Sequence, residues 1–327
     1  MAYSNEVVRK ARAELASRKA DHESQTLARL HNAYAKVPRI KEIDILLRKS
    51  MAIAMQQVFQ TGSDAEAAME QVKKANLALQ AEKKALIEEN FGPGYLDESP
   101  ICPKCGGSGY IGTYMCQCLR ELCRQQQEKE VALLADDSQH FGAFRLDYYS
   151  DRPDPKTGLS SRALMSRAFD ISREYAEHFC SASGNLLFTG GTGLGKTFLS
   201  ACIARVVAAR GYSVAYETAS HLFSKMEKHR FHPDEETAME NKRLMECDLL
   251  IIDDLGTELP GQFVTAALYA LVNDRILAGK PMLISTNLTV DEVGRRYSPQ
   301  IRSRFQGNFR QLHFMGEDIR VLQNRGF

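Results

Sequence analysis

Eight residues, Gly190-Gly191-Thr192-Gly193-Leu194-Gly195-Lys196-Thr197, constrain this chain more than any other stretch. They match the phosphate-binding pattern G-x-x-x-x-G-K-[ST], set between a short apolar run at 185–189 and an apolar helical stretch beginning at Phe198. In that context the pattern has a physical meaning. The glycines let backbone N–H groups turn inward around phosphate oxygens, and the helix N-terminus adds its positive end. Lys196 then reaches the β and γ oxygens of a nucleoside triphosphate, and Thr197 holds Mg²⁺. All eight residues are therefore expected to bind nucleotide, with ATP and Mg²⁺ as the cofactors.

From residue 161 onward, short apolar runs alternate with helical stretches, as in a parallel sheet with crossover helices. Strands are expected at 185–189, 213–217, 248–252 and 281–285, each nearly all apolar and so buried on both faces. The run Asp248-Leu249-Leu250-Ile251-Ile252-Asp253-Asp254 delivers two carboxylates at a strand's C-terminal end, where ligands bind in open α/β sheets. Asp253 is expected in the magnesium shell.

The region before residue 92 is different. It holds almost no glycine and reads as three helices, broken at Pro38 and at Thr61-Gly62-Ser63. Ser63 and Glu66 have capping-box spacing, and Val72, Leu79 and Leu86 follow at heptad spacing. That stripe packs on its own neighbours or forms an intermolecular coiled coil; the pattern is too short to choose. Cys102-Pro103-Lys104-Cys105 and Cys116-Gln117-Cys118 then form two close pairs around a glycine-rich stretch. Four thiolates at such spacing suit tetrahedral Zn²⁺, with Cys123 as an alternative fourth ligand. Four sulfurs leave no open position, so the zinc is structural. A polar helix over about 119–134 follows. The expected divisions are 1–97, helical and partner-binding; 98–137, zinc knuckle and connecting helix; and 138–327, the nucleotide-binding domain, with its boundary near Ser138.

A chain of 327 residues accommodates such a division. Its hydrophobic fraction of 44% with 25% charged residues is that of a globular protein rather than a disordered one. The net charge of +1 announces no nucleic-acid partner by itself. Charges at the N-terminus interrupt any signal-like apolar stretch, and no run is long enough to span a membrane, so a cytoplasmic protein is expected. The eight cysteines suit a reducing compartment, with Cys180, Cys202 and Cys247 expected in the core.

Further motifs carry a family resemblance over about residues 140–327. The strand at 281–285 runs into Thr286-Asn287, and an apolar strand ending in Ser-Thr-Asn resembles the first sensor of AAA+ ATPases. Residues 294–305, with Arg295, Arg296, Arg302 and Arg304, resemble the arginine-finger region of bacterial helicase loaders of the DnaC/DnaI type and of IstB transposition ATPases. Gly316-Glu317-Asp318-Ile319-Arg320 resembles the closing motif of the same family.

The resemblance implies an AAA+ P-loop ATPase: a parallel sheet with helices on both faces, little or no C-terminal lid, and a helical domain and zinc knuckle in front. It implies that Asp254 polarises the attacking water where most relatives carry glutamate. Asn287 would position that water, Arg320 would serve as second sensor, and Arg304, or alternatively Arg302, would reach a neighbour's ATP. The interval 221–246 would help bind single-stranded DNA, although a solvated amphipathic helix explains the same residues. The implied function is ATP-dependent loading of a DnaB-like replicative helicase onto single-stranded DNA, with self-association or assembly on the helicase hexamer. An IstB-like transposition helper is the alternative. A metabolic P-loop kinase would have no use for the Ser-Thr-Asn motif and the arginine cluster.

Overall fold

The computed structural model describes residues 3–61, 65–97, 99–134, 139–153, 155 and 158–324. The expected break at Gly62 and Ser63, with the Ser63 cap, and the expected boundary at Ser138 lie outside the described residues. Two compact units divide the chain: Ala13–Cys116, and Met1–Arg12 together with Gln117–Phe327.

The first of these units is helical. α1 (Asn5–Lys36) ends two residues before Pro38, which opens α2 (Pro38–Thr61) at the position where a missing N–H costs nothing. α3 (Ala65–Phe91) packs against α2. Ala33, Ile40 and Ile87 are buried between the helices, with Leu86 against them. Lys83 pairs with Asp44 at 2.7 Å, and the Tyr34 hydroxyl donates to the other oxygen of that carboxylate, also at 2.7 Å. Val72, Leu79 and Leu86 are all half-buried on α3. A two-stranded hairpin, β1 (Tyr110–Ile111) and β2 (Tyr114–Met115), lies within the cysteine-rich segment.

The second unit is built on a five-stranded, all-parallel sheet. Its strands are β3 (Asn185–Thr189), β4 (Val214–Thr218), β5 (Leu249–Leu255), β6 (Met282–Thr286) and β7 (Phe309–His313), in the spatial order β4-β5-β6-β3-β7. Side chains alternate across the pleat, so the sheet carries two cores. Leu186, Phe188, Leu249 and Ile251 bury one face under α5 (Ser161–Glu177) and α6 (Lys196–Ala209). Leu187, Leu250, Ile252 and Ile284 bury the other. That second face is covered by α7 (Ala219–Phe231), α8 (Glu235–Glu246), α9 (Gln262–Leu277), α10 (Val290–Arg296) and α11 (Pro299–Asn308). After β7 the described chain closes with α12 (Ile319–Asn324).

Several details differ from the sequence reading. Each strand after β3 starts one residue later than expected, and β5 runs on to Leu255. The edge strand β7 escapes detection because Arg310, Gln311 and His313 leave no apolar run. Helix α6 begins at Lys196 rather than Phe198, so Lys196 and Thr197 form its first turn. Of the three cysteines expected in the core, Cys202 and Cys247 are buried, but Cys180 is exposed in the turn after α5.

α4 (Gln117–Leu134) packs on α6. Arg124 donates to Ala209 O at 3.0 Å, capping the C-terminal end of α6. Gln127 is buried and bonds Tyr212 O and Val214 N, satisfying the start of edge strand β4. No helix among the described residues is long and apolar enough to cross a membrane.

One buried cation holds the second core together. Arg275 on α9 is 0% exposed, and its guanidinium donates to Leu244 O, Met245 O, Cys247 O and Pro281 O at 2.7 to 3.1 Å. It thereby ties the C-terminal carbonyls of α8 to the entry of β6. Arg275→Met keeps the stem but strands four buried carbonyls. Chemical denaturation should show a loss of roughly 3 kcal/mol or more, with little recovery in Arg275→Lys, which lacks the planar fork. Equal stability of Arg275→Met and the parent would contradict this account of the core.

Candidate functional site

The loop after β3 takes backbone shapes open only to glycine. Gly190 has φ of 137°, and an added Cβ would meet Phe314 O at 2.2 Å. Gly193 has φ of 68°, with Asp318 Oδ1 only 1.9 Å from where a Cβ would stand. Those close approaches come from the C-terminal segment. Phe314 N donates to Thr189 O at 2.7 Å, and Ile319 N donates to Gly193 O at 3.0 Å. Asp318 accepts from Arg320 N at 2.9 Å, which places Arg320 at the rim of the same cavity.

Lys196 is 4% exposed, and its ammonium donates to Gly190 O (2.7 Å), Gly191 O (2.5 Å) and Asn287 Oδ1 (2.7 Å). Burial lowers its affinity for a proton, against the opposing pull of Asp254 and Asp253. The expected first-sensor asparagine at the end of β6 is thus in direct contact with the lysine of the phosphate loop.

The two aspartates sit in a β-bulge. Ile252 pairs with Ile284 and Leu255 with Thr286, so Asp253 and Asp254 together face the single residue Ser285. Asp254 takes φ of 55°, the one left-handed non-glycine residue among those described. Its N–H donates to Ser285 Oγ at 2.9 Å, and its carbonyl accepts from Thr257 N and Oγ1 at 3.2 and 2.9 Å. The Ser285 hydroxyl in turn donates to Asp253 Oδ1, and the Tyr216 hydroxyl donates to Oδ2 at 3.0 Å. Asp253 is 3% exposed; Asp254 is half-buried and lines the cavity. Burial, and then the charge of Asp253, raises the Asp254 carboxyl above the ordinary carboxylate range, while Lys196 and Arg320 pull it back.

Thr192 to Thr197, Asp254, Asn287 and Arg320 line one cavity of about 570 Å³, a size that accommodates a nucleotide. Phe144, Arg145, Tyr148 and Tyr149 complete its wall. Tyr149 is buried and donates to Leu194 O at 3.0 Å, and the Phe144 ring stacks on it at 5.9 Å between centroids. Nothing in the letters of this aromatic segment points to the loop it covers. Thr197 and Asp253 offer the hydroxyl and carboxylate oxygens that a hard cation such as Mg²⁺ takes.

Arg304 lies apart from this cavity: half-buried on α11, it donates to Asn273 Oδ1 at 2.7 Å. Arg302 is exposed and pairs with Asp291 at 3.3 Å. Arg296 donates to Glu258 O at 2.6 Å.

The sulfurs of Cys102, Cys105, Cys116 and Cys118 lie within 4.8 Å of one another. Cys102 and Cys116 stand 3.8 Å apart, the edge of a tetrahedron with Zn–S bonds of about 2.3 Å. Gly109 N donates to Cys105 Sγ at 3.3 Å, a bond that favours the thiolate. The donor set fits zinc, with Cys118 in the fourth place. Cys123 stands outside the group. Protein purified without chelator should carry one zinc per chain by elemental analysis, lost in Cys102→Ser/Cys105→Ser but kept in Cys123→Ser. Metal loss in Cys123→Ser would contradict the ligand set.

Residues 170–300 match the family model described as IstB-like ATP binding protein. The replicative helicase loader DnaC of Escherichia coli is 26% identical over 140 residues, covering 42% of this chain and 57% of the relative. An ATP-binding protein of an insertion sequence in Mycobacterium tuberculosis is 26% identical over 112 residues, 34% of this chain and 44% of that protein. The chain thus spans a little over half the length of the helicase-loader relatives it matches. Among solved structures, a DnaC helicase loader aligns at 18% identity over 54% of this chain and 98% of that one, with a TM-score of 0.43. AMPPCP-bound DnaA from Aquifex aeolicus aligns at 17% identity over 58% of this chain and 55% of that one, with a TM-score of 0.45. Residues 170–300 are thus similar to IstB-like ATP-binding proteins, and the same part of the chain resembles the helicase loader DnaC.

Proposed function

We propose that this chain is an ATP-dependent assembly factor that binds a DnaB-like replicative helicase and loads it onto single-stranded DNA. The observation that carries the reading is the convergence of Lys196, Asp254, Asn287 and Arg320 on one cavity. Lys196 grips the β and γ oxygens and Asn287 helps place the attacking water. Asp254 draws the proton from that water; its raised affinity for protons suits a general base better than an ordinary aspartate would. Arg320 stabilises the γ-phosphate. Arg304, or Arg302, acts on a neighbour's nucleotide, which ties hydrolysis to assembly and adds about 10³ to 10⁵ in rate. Arg304 must first leave Asn273 to do so.

DNA contact falls to the end of α7, where Lys228, Arg230 and Phe231 are exposed. The Arg230 guanidinium stands 5.7 Å from the Phe231 ring and 5.5 Å from that of Phe263, a charged and aromatic surface suited to phosphates and unstacked bases. The N-terminal helices and the cysteine cluster are the partner-binding region, and hydrolysis releases the helicase. The similarity to an insertion-sequence protein favours a second reading, a helper that acts with a transposase on duplex DNA.

Asp254→Asn discriminates the chemistry. The carboxyl is held above its ordinary range, so it is ionised at a cost to the fold near neutral pH, and asparagine tolerates left-handed φ. The variant should keep its Tm and its ATP affinity and lose hydrolysis by about 10² or more. With the helicase of the same organism and single-stranded DNA circles, the parent plus ATP should deliver helicase to the DNA, and the variant should hold the helicase without releasing it. Delivery that needs no ATP, or ATP-dependent recruitment of a transposase to duplex DNA instead, would overturn the loader reading.

A further inference from the structure

Tyr216 belongs to none of the phosphate or magnesium motifs, yet its hydroxyl reaches the buried carboxylate of Asp253. It stands on edge strand β4, beside β5. The bond to Asp253 Oδ2 is 3.0 Å, and Ser285 holds the other oxygen from β6 on the opposite side. The carboxylate is therefore fixed by one hydroxyl from each flanking strand, and three adjacent strand ends form a single chain of hydrogen bonds: Tyr216 to Asp253, Ser285 to Asp253, Asp254 N to Ser285. Ser285 is part of the Ser-Thr-Asn motif, but a hydroxyl at 216 is required by no sheet or core contact. The ring packs half-buried against the core that contains Leu199 and Ile203, a role that phenylalanine would fill equally well.

We propose that Tyr216 is a positioning residue for the magnesium shell: its hydroxyl locks the Asp253 carboxylate in one orientation, so that the cation with its nucleotide meets a ligand already in place. The proposal rests on the nucleotide-site reading above and deepens it. The geometry supports it. A carboxylate that is 3% exposed must have its oxygens satisfied, and a donor on each oxygen removes its freedom to rotate. Groups that orient a metal-bearing carboxylate from behind typically change metal affinity by about 10- to 100-fold when removed.

Tyr216→Phe deletes one oxygen and keeps the ring. The full chain is titrated with MgCl₂ in the presence of a fluorescent non-hydrolysable ATP analogue, and the half-saturating magnesium concentration is read for parent and variant. Analogue binding in EDTA and Tm are measured alongside. The proposal expects the magnesium requirement to rise about tenfold or more, with binding in EDTA and Tm unchanged, and excess magnesium to restore binding. An unchanged magnesium half-saturation overturns it. So does an equal loss of binding with and without magnesium accompanied by a lowered Tm, which would make the hydroxyl a purely structural contact. A parent protein whose analogue binding ignores magnesium would instead remove the nucleotide-site reading itself, and this proposal with it.

Discussion

The architecture of the second unit is organised around a buried lysine ammonium. Taking such a charge out of water costs several kcal/mol unless oxygens surround it, and Lys196 is surrounded by Gly190 O, Gly191 O and Asn287 Oδ1. Each partner depends on a larger element. The two carbonyls face inward because Gly190 takes a backbone conformation closed to other residues. Asn287 is delivered by β6, which lies beside β3 in the sheet, so the asparagine and the loop leave neighbouring strand ends together. Starting α6 at Lys196 places the ammonium at the helix's positive end, where a phosphate also finds its most favourable field.

A similar economy governs the carboxylates. An unbroken β5–β6 ladder would send consecutive side chains to opposite faces of the sheet, and only one aspartate would reach the ligand side. The bulge at Asp253 and Asp254 removes that limit. Ser285 makes it tolerable by supplying a donor to one aspartate and an acceptor to the backbone of the next. The strain is local: one residue in the left-handed region, held by Ser285 and Thr257. The C-terminal segment completes the arrangement by packing Phe314, Asp318 and Ile319 onto the phosphate loop, which brings Arg320 to the rim.

Much of this was legible in the sequence because it depends on short-range rules. The phosphate loop, the paired aspartates, Asn287, Arg320 and the four clustered cysteines are each written in a few contiguous letters, and their strands are apolar enough to announce themselves. What the letters hid is what depends on register and long-range contact. Tyr216 looks like one more apolar position in a strand until the pairing of β4 with β5 sets it opposite Ile251, from where its hydroxyl reaches Asp253 two residues on. The bulge cannot be read from Ile252-Asp253-Asp254-Leu255 without knowing what β6 places opposite. β7 is an edge strand in which Arg310, Gln311 and His313 break the apolar run, and so it carried no hydrophobic signal. Cys180 looked like a core residue from its apolar neighbours, but it falls in the turn that ends α5, where Ser183 folds back onto its N–H.

The central claim is that the cavity around Lys196 is an ATP site. It is tested most directly by isothermal titration of Mg·ATP into the full chain and into Lys196→Ala, with Tm recorded for both. Lys196→Ala removes a buried charge together with its desolvation cost, so the variant should fold, and the loss of the ammonium should abolish tight binding. Parent protein that binds no Mg·ATP, or a folded Lys196→Ala that binds it as tightly as the parent, would contradict the account.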